Sequence, residues 1–366
     1  MLVFSRVSLV GLGGAQSAAA GCHLSLAGHL SVLIRMISHD GHCEWPRQTR
    51  SSGLPHDDLP IIDMTPFHGG GSGANDVVAQ VQAACLSTGF FLVTGHGVSV
   101  DVIDRLYRAA RGFFDQPEDS KQSVIGQPTR MGGLGFAPLL KEALAATQGQ
   151  ATPGDIKESL NFGPSLAGSP WPAQNSELQA ACAAYFSEME QLAKQLRQIF
   201  CAAIGLPPDY FEPGFVNHLS ALRVINYPAQ TAAPLTGQLR AGAHTDYGFM
   251  TILRSEASPG GLQVQRRDGT WIDAPAIDNA FIVNIADAFM RWTNDTWVST
   301  PHRVVNPPQS MRGLARRQSM AFFVNPSSDT RIECLKAFCK AGIQPKYEPV
   351  TFSDYMDLKT KQAFST

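Results

Sequence analysis

His244 and Asp246 lie two positions apart, directly before the apolar run GFMTIL. In an extended chain, residues i and i+2 point to the same side, so this imidazole and this carboxylate can converge on one point. His302, in the segment STPHRVVN, also lies beside a β-like run and is the best candidate for a third ligand. Two histidines and one carboxylate form the facial triad that suits non-haem Fe(II) and leaves coordination positions open. The sequence therefore predicts an iron site at His244, Asp246 and His302.

Spacing alone is a weak signal, because a histidine in a turn produces the same pattern. His56 and Asp58 repeat the spacing in a polar linker that no apolar strand follows. The interpretation as a metal site therefore depends on the order of the three ligands along the chain and on the β-like runs beside them.

A second polar pair, Arg317 and Ser319, precedes the apolar run MAFFV. The guanidinium and the hydroxyl share one face of a strand, where they can bind a carboxylate through several hydrogen bonds. A buried arginine would be costly without an anionic partner. Tyr227, in VINYP, either adds its phenol to the same carboxylate or is a core tyrosine at a strand end. Arg223 lies four residues earlier on the same strand face and is a further candidate for ligand contact.

The elements that must position these residues change character along the chain. Apolar residues recur at helical intervals over 74–89, 101–117 and 175–204, and glycine or proline closes each segment. Residues 120–174 are rich in glycine and proline, which favours a long irregular segment. From residue 221 onward, short apolar runs alternate with turn residues, which is typical of a sandwich, a jelly roll or a barrel. The sequence predicts helices first and then a β-rich half that carries the metal site.

Composition and charge exclude several classes of protein. The chain has 29 basic and 31 acidic residues and a formal net charge of −2, so neither nucleic acid nor a membrane is expected as a partner. There is no run of about 20 apolar residues that would predict a transmembrane helix. The seven cysteines are scattered without a CxxC pair, which favours a reducing compartment, and we expect the cytoplasm.

Residues 1–57 differ from the rest, since Asp40 is the first acidic residue and arginine and serine punctuate short apolar runs. This pattern is typical of a transit peptide, so organellar targeting is one interpretation. The other is an unstructured extension, or an upstream start codon with translation beginning near Met36, and we favour it. In either case we expect residues 1–57 to lie outside the fold, as a disordered or targeting-like extension.

Four segments resemble the 2-oxoglutarate- and Fe(II)-dependent oxygenases of the isopenicillin N synthase-like superfamily in order and spacing: STGFFLVTGHGV, GAHTDYGFMTIL, FIVNIADAFMRWTNDTWVSTPHRVVNP and RRQSMAFFVNP. The resemblance covers roughly residues 59–356. It implies an α+β fold, in which a distorted double-stranded β-helix, or jelly roll, is flanked by helices. The implied regions are a mainly helical N-terminal region 58–205, a catalytic jelly-roll domain 206–335, and a C-terminal tail and helix 336–366.

The resemblance also implies roles for the candidate residues. The histidines and the aspartate of the triad would hold Fe(II), and Arg317 and Ser319 would bind the far carboxylate of 2-oxoglutarate, with Tyr227 as an additional contact. The implied reaction uses O₂ and oxidises a small organic metabolite by hydroxylation, desaturation or cyclisation, with release of succinate and CO₂. We expect the protein to act as a monomer.

Three alternatives stay open at this point. An oxidase of the same fold would use no 2-oxoglutarate, and Arg317 and Ser319 would then bind the carboxylate of the substrate itself. A non-catalytic binding protein on the same scaffold is disfavoured by the intact triad. A jelly roll that holds a metal without redox activity is the third alternative.

Overall fold

β-Strands occur in both halves of the chain. The computed structural model describes residues 59–364 apart from residues 70, 130, 131, 165–170, 172–175, 340 and 341, so the expectations for residues 1–57 fall outside the described residues. The strands are β1 (Ile61–Asp63), β2 (Phe90–Thr94), β3 (Ile125–Thr129), β4 (Gly132–Ala137), β5 (Glu158–Phe162), β6 (Ala221–Tyr227), β7 (Ala241–His244), β8 (Met250–Ser255), β9 (Leu262–Gln265), β10 (Trp271–Asp273), β11 (Phe281–Ile285), β12 (His302–Val304), β13 (Arg317–Val324), β14 (Arg331–Ile332) and β15 (Val350–Thr351).

The helices are α1 (Thr65–Gly69), α2 (Ser72–Ser87), α3 (Val100–Phe114), α4 (Glu118–Gln122), α5 (Ser176–Ile204), α6 (Asp287–Trp292) and α7 (Phe352–Phe364). The three predicted helices correspond to α2, α3 and α5, and the predicted C-terminal helix corresponds to α7. The longest, α5, buries a stripe of residues three and four positions apart: Leu178, Cys182, Tyr185, Met189, Leu192, Leu196 and Phe200. It ends at Gly205, which has a φ of 82°, a backbone conformation that glycine adopts at little cost.

The strands form a nine-stranded sheet in the order β1-β2-β11-β8-β13-β6-β5-β4-β3 and a four-stranded sheet in the order β10-β9-β12-β7. A separate pair joins β14 to β15. The prediction that 120–174 is irregular was wrong, since β3, β4 and β5 lie in this segment and extend the large sheet beyond β6. Glycine-rich strands such as β4 lack the alternation of apolar side chains by which a sequence reveals a strand.

The large sheet is covered on both faces. On one face, apolar side chains of α2, α3 and α5 pack against strand residues such as Leu222, Ile252 and Phe322. On the other face, Ile225 and Tyr227 of β6 lie in one buried cluster with residues of the small sheet. Because successive side chains of a strand point to opposite faces, each central strand contributes to both cores. We call the space between the two sheets the interior.

The division of the chain into regions at residue 205 stays a prediction. Strands β1 to β5 lie on the N-terminal side of this position and β6 to β13 on the C-terminal side, yet one hydrogen-bonded sheet contains strands from both. Within the described part of the chain, no helix combines the length and apolar content needed to cross a bilayer.

Candidate active site

The three predicted metal ligands converge at one end of the interior. His244 ends β7 and His302 begins β12, and the two residues are direct partners in the antiparallel pairing of these strands. Asp246 follows β7 by two residues. Its Oδ1 lies 3.6 Å from Nε2 of His302 and 3.9 Å from Nε2 of His244, and one ligand atom from each residue lies within 4.8 Å of the others. This spacing fits a single metal ion bound by two imidazole nitrogens and one carboxylate oxygen.

Backbone carbonyls orient both imidazoles. Nδ1 of His244 donates to the carbonyl of Gly242 over 2.8 Å, and Nδ1 of His302 donates to the carbonyl of Thr300 over 3.2 Å. A proton on Nδ1 leaves the Nε2 lone pair free to face the centre. Burial, followed by the charge of His302, lowers the pKa of His244 to about 3, so this imidazole is neutral at neutral pH. A neutral imidazole is the form that binds a metal.

Asp246 is fixed by two side chains of the large sheet. Its Oδ2 accepts hydrogen bonds from Oγ1 of Thr251 at 2.5 Å and from Nδ2 of Asn284 at 2.8 Å, which leaves Oδ1 for the centre. Burial acts to raise the pKa of Asp246, but the two histidines and these hydrogen bonds outweigh it and lower the pKa. Neither Thr251 nor Asn284 was predicted from the sequence. The one signal was an isolated asparagine inside the apolar strand FIVNI.

Replacing Asn284 with alanine is expected to lower Fe(II) affinity roughly ten- to a hundredfold, the usual effect of losing a group that orients a ligand. Anaerobic titration with Fe(II) against a competing chelator measures this change. Asn226→Ala is the matched control, because Asn226 is an equally buried amide whose side chain bonds Glu158 on the helix-covered face of the sheet. Equal Fe(II) affinity in Asn284→Ala and the wild type would contradict the role given to Asn284.

The segment 142–157 supports β7 from outside the large sheet. Oδ1 of the buried Asp155 accepts the amide of Gly242 at 2.9 Å, and its Oδ2 accepts the amide of Leu144 at 3.1 Å. A Cβ on Gly242 would lie 2.7 Å from the amide nitrogen of Ala145, so glycine permits this close packing. Asp155 thus holds Gly242, the residue whose carbonyl orients His244, and residues predicted to be irregular form part of the site.

The predicted carboxylate-binding residues lie together on the inward face of the large sheet. Arg317 and Ser319 are 2% and 1% exposed. Nε and Nη2 of Arg317 donate to Oγ of Ser255, at 2.9 and 2.6 Å, but its buried Nη1 has no hydrogen-bond partner. The ring of Tyr227, on the neighbouring strand, has its centroid 4.9 Å from Cζ of Arg317. Tyr227 therefore contacts the guanidinium through its ring, and the predicted contact through its phenol stays a prediction.

A charged wall lies beside the triad on the same inward face. Nε of Arg223 donates to Oδ1 of Asn161 at 2.6 Å, and its Nη1 lies 3.2 Å from Oε2 of Glu142. The same oxygen of Glu142 lies 3.2 Å from Nζ of Lys157. The charge of Arg223, ahead of that of Lys157, lowers the pKa of Glu142 to about 2, although burial opposes this. Nζ of Lys157 also lies 2.9 Å from Oδ2 of Asp155, the carboxylate that accepts the amide of Gly242, which places the wall beside the strand that carries His244.

Comparisons with known proteins agree with this geometry. Residues 59–181 match the family described as non-haem dioxygenase in morphine synthesis N-terminal, and residues 218–326 match the 2OG-Fe(II) oxygenase superfamily. The 2-oxoglutarate-Fe(II) type oxidoreductase hxnY of Emericella nidulans is 31% identical, and the match covers 83% of this chain and 90% of that protein. The proline hydroxylase buaE of Petromyces alliaceus is 32% identical, with 83% and 98% covered.

A solved structure is similar over most of the fold. The crystal structure of a full-length Neurospora crassa protein in complex with alpha-KG superposes with a TM-score of 0.74 at 30% identity, covering 85% of this chain and 98% of that one. The chain thus belongs to the 2OG-Fe(II) oxygenase superfamily. It is an enzyme, a 2-oxoglutarate-dependent non-haem iron dioxygenase, whose cofactors are Fe(II) and 2-oxoglutarate with O₂ as oxidant.

The residues of the site fit these cofactors. A buried carboxylate and two imidazoles with converging ligand atoms suit Fe(II), and the unpartnered Nη1 of Arg317 suits a carboxylate. The family predicted from the sequence is confirmed. Because the chain belongs to this family, the 2-oxoglutarate-dependent enzyme is favoured over the oxidase and the binding protein, the alternatives that the sequence left open.

Proposed function

We propose that this enzyme oxidises a small organic metabolite by hydroxylation, desaturation or cyclisation, and converts 2-oxoglutarate to succinate and CO₂. His244, Asp246 and His302 hold Fe(II) in this proposal. Arg317 and Ser319 bind the distal carboxylate of 2-oxoglutarate, and the ring of Tyr227 supports the arginine. The observation that carries the proposal is the convergence of the three ligand atoms within the same interior that contains the unpartnered guanidinium nitrogen. We also propose that the two sheets form a distorted jelly roll.

The side chains of this protein bind and orient, and the bound iron and 2-oxoglutarate supply the activation of O₂ and the oxidising power. Thr251 and Asn284 hold the carboxylate of Asp246 so that one oxygen faces the metal position. Carbonyls of the backbone keep both imidazoles in the tautomer that binds a metal. The apolar residues between the sheets exclude bulk water from the reacting groups.

The charged wall favours a polar substrate. Arg223 is half-buried, and its guanidinium, together with the carboxylate of Glu142, offers both donors and acceptors beside the triad. A metabolite that carries a carboxylate, an amide or a ring N–H would match this wall. Similar proteins support this class, since they include a proline hydroxylase and the Neurospora crassa protein in complex with thymine. We further propose that the enzyme works as a monomer in the cytoplasm on such small molecules, without nucleic acid or membrane.

A substrate panel tests this proposal. Succinate formation by the iron-loaded enzyme is measured with free amino acids, N-heterocycles and unsubstituted hydrocarbons, and a polar member is expected to raise the rate above the substrate-free rate. Arg223→Met should then raise KM for that member. Arg105→Met is the control, because Arg105 also bonds a carboxylate, that of Glu177, but on the helices. Acceleration by hydrocarbons alone, or an unchanged KM in Arg223→Met, would overturn the proposed substrate class.

A further inference from the structure

Arg240, directly before β7, is a fully buried arginine without an acidic partner. Its residue exposure is 0%, and no ion pair among the described residues includes it. The same holds for Arg317, which is 2% exposed. Proteins seldom bury an arginine without a compensating charge, because the loss of hydration is costly. Two such arginines therefore lie in one region of the interior, and only Arg317 has a role so far.

Three backbone carbonyls hold the guanidinium of Arg240. Its Nη1 donates to the carbonyls of Pro259 and Gly260, at 3.3 and 3.2 Å, and its Nη2 donates to the carbonyl of Ala315. Its Nε is buried and has no hydrogen-bond partner. Carbonyl dipoles stabilise a cation in part, but they leave its full charge in place.

Arg240 and Arg317 share the ring of Tyr227. The ring centroid lies 5.8 Å from Cζ of Arg240 and 4.9 Å from Cζ of Arg317. Burial, followed by the charge of Arg317, lowers the pKa of Arg240 to about 10, so Arg240 stays cationic at neutral pH, as arginine side chains in proteins do. Because the charge of Arg317 affects Arg240, the two guanidinium groups interact electrostatically. An anion beside one of them is therefore attracted by the other as well.

We propose that Arg240 is a second cation of the cosubstrate pocket, which attracts the distal carboxylate of 2-oxoglutarate through space while Arg317 binds it directly. The proposal rests on the proposed role of Arg317. It makes Arg240 a positioning residue, because its hydrogen bonds go to the backbone. A role limited to linking the loops that supply the carbonyls would be the alternative, and the two roles differ in one measurable respect. Electrostatic attraction depends on the charge of the ligand, whereas support of the loops does not.

Two ligands separate these roles. The first is 2-oxoglutarate, and the second is 2-oxovalerate, which has the same chain length and the same keto acid group but a methyl group in place of the distal carboxylate. The affinity of the Fe(II)-loaded protein for each is measured anaerobically from the visible charge-transfer band. Arg240→Met removes the charge, Arg240→Gln removes it but keeps a donor for a carbonyl, and Arg240→Lys keeps it.

Arg240→Met and Arg240→Gln are expected to lower the affinity for 2-oxoglutarate about tenfold, which is the scale of a unit charge acting across a partly screened interior. The same variants should change the affinity for 2-oxovalerate by less than about twofold. Arg240→Lys should stay within about threefold of the wild type for both ligands. Having two neutral variants keeps the test valid if one of them does not fold.

Arg254→Met is the matched control. Arg254 also donates through Nη1 to two carbonyls, those of Ile277 and Ala280, and its Nε is also unpartnered. It lies on β8 next to Ser255 and so on the opposite face from Arg317. The proposal would be overturned if the neutral Arg240 variants lost affinity for both ligands equally, or if they kept the full affinity for 2-oxoglutarate. A wild type that binds Fe(II) but forms no band with 2-oxoglutarate would instead overturn the proposed function.

Discussion

Replacing Asp246 with alanine is expected to reduce Fe(II) affinity by more than about a hundredfold, since losing a group that only orients a ligand already costs roughly ten- to a hundredfold. Asp246 supplies the anionic oxygen of the triad, and its Oδ1 is the atom that both imidazoles approach. Without it, two imidazole nitrogens alone would have to hold a divalent cation in a buried site. The loss would also leave the donors of Thr251 and Asn284 without their acceptor.

Anaerobic titration with Fe(II), followed by measurement of the iron retained after desalting, tests this expectation. His218→Ala is the control, because Nε2 of His218 lies 2.8 Å from Oε1 of Glu190 without belonging to a group of three ligands in the described part of the chain. That variant should bind iron like the wild type. If Asp246→Ala retained iron affinity within about threefold of the wild type, the triad would not be the iron site.

The triad could be predicted because its information is local. The i, i+2 spacing of His244 and Asp246 places both side chains on one side of an extended chain, whatever the fold. His302 required the order of strands as well, and its direct pairing with His244 depends on the register of β7 and β12. Thr251, Asn284 and Ser255 were not identified, because a hydroxyl or an amide in a strand gives no sign of which distant group it bonds.

The fold shows the same limit. The predicted helices were confirmed where an apolar stripe repeats over many residues, as in α5. Residues 120–174 were predicted wrongly because β3 and β4 contain glycine and proline and obtain their order from pairing with β5 and β6. Arg240 was not identified for a related reason. Its burial results from loops at 259–260 and 315 that only the folded chain brings around it.

Replacing Arg317 with methionine is expected to lower the affinity for 2-oxoglutarate by roughly thirtyfold to several thousandfold, since breaking a buried, hydrogen-bonded charge pair costs about 2–5 kcal/mol. In the wild type, Nε and one N–H of Nη2 of Arg317 are already bound to Ser255, so Nη1 and the second N–H of Nη2 are left for the ligand. Methionine is unbranched and apolar, so it fills part of the space without a donor. The charge-transfer band, titrated with 2-oxoglutarate, reports this affinity.

Two companion measurements separate loss of the cosubstrate from damage to the site. Fe(II) affinity of Arg317→Met should equal that of the wild type, because the triad is held by β7, β12 and the hydrogen bonds of Thr251 and Asn284 rather than by β13. Arg317→Lys should recover only part of the 2-oxoglutarate affinity, because an ammonium group keeps the charge but cannot bind Ser255 and a carboxylate with one planar group. If Arg317→Met bound 2-oxoglutarate like the wild type, the carboxylate would lie elsewhere. Arg223 and Lys157 of the charged wall would then be the next candidates to bind it.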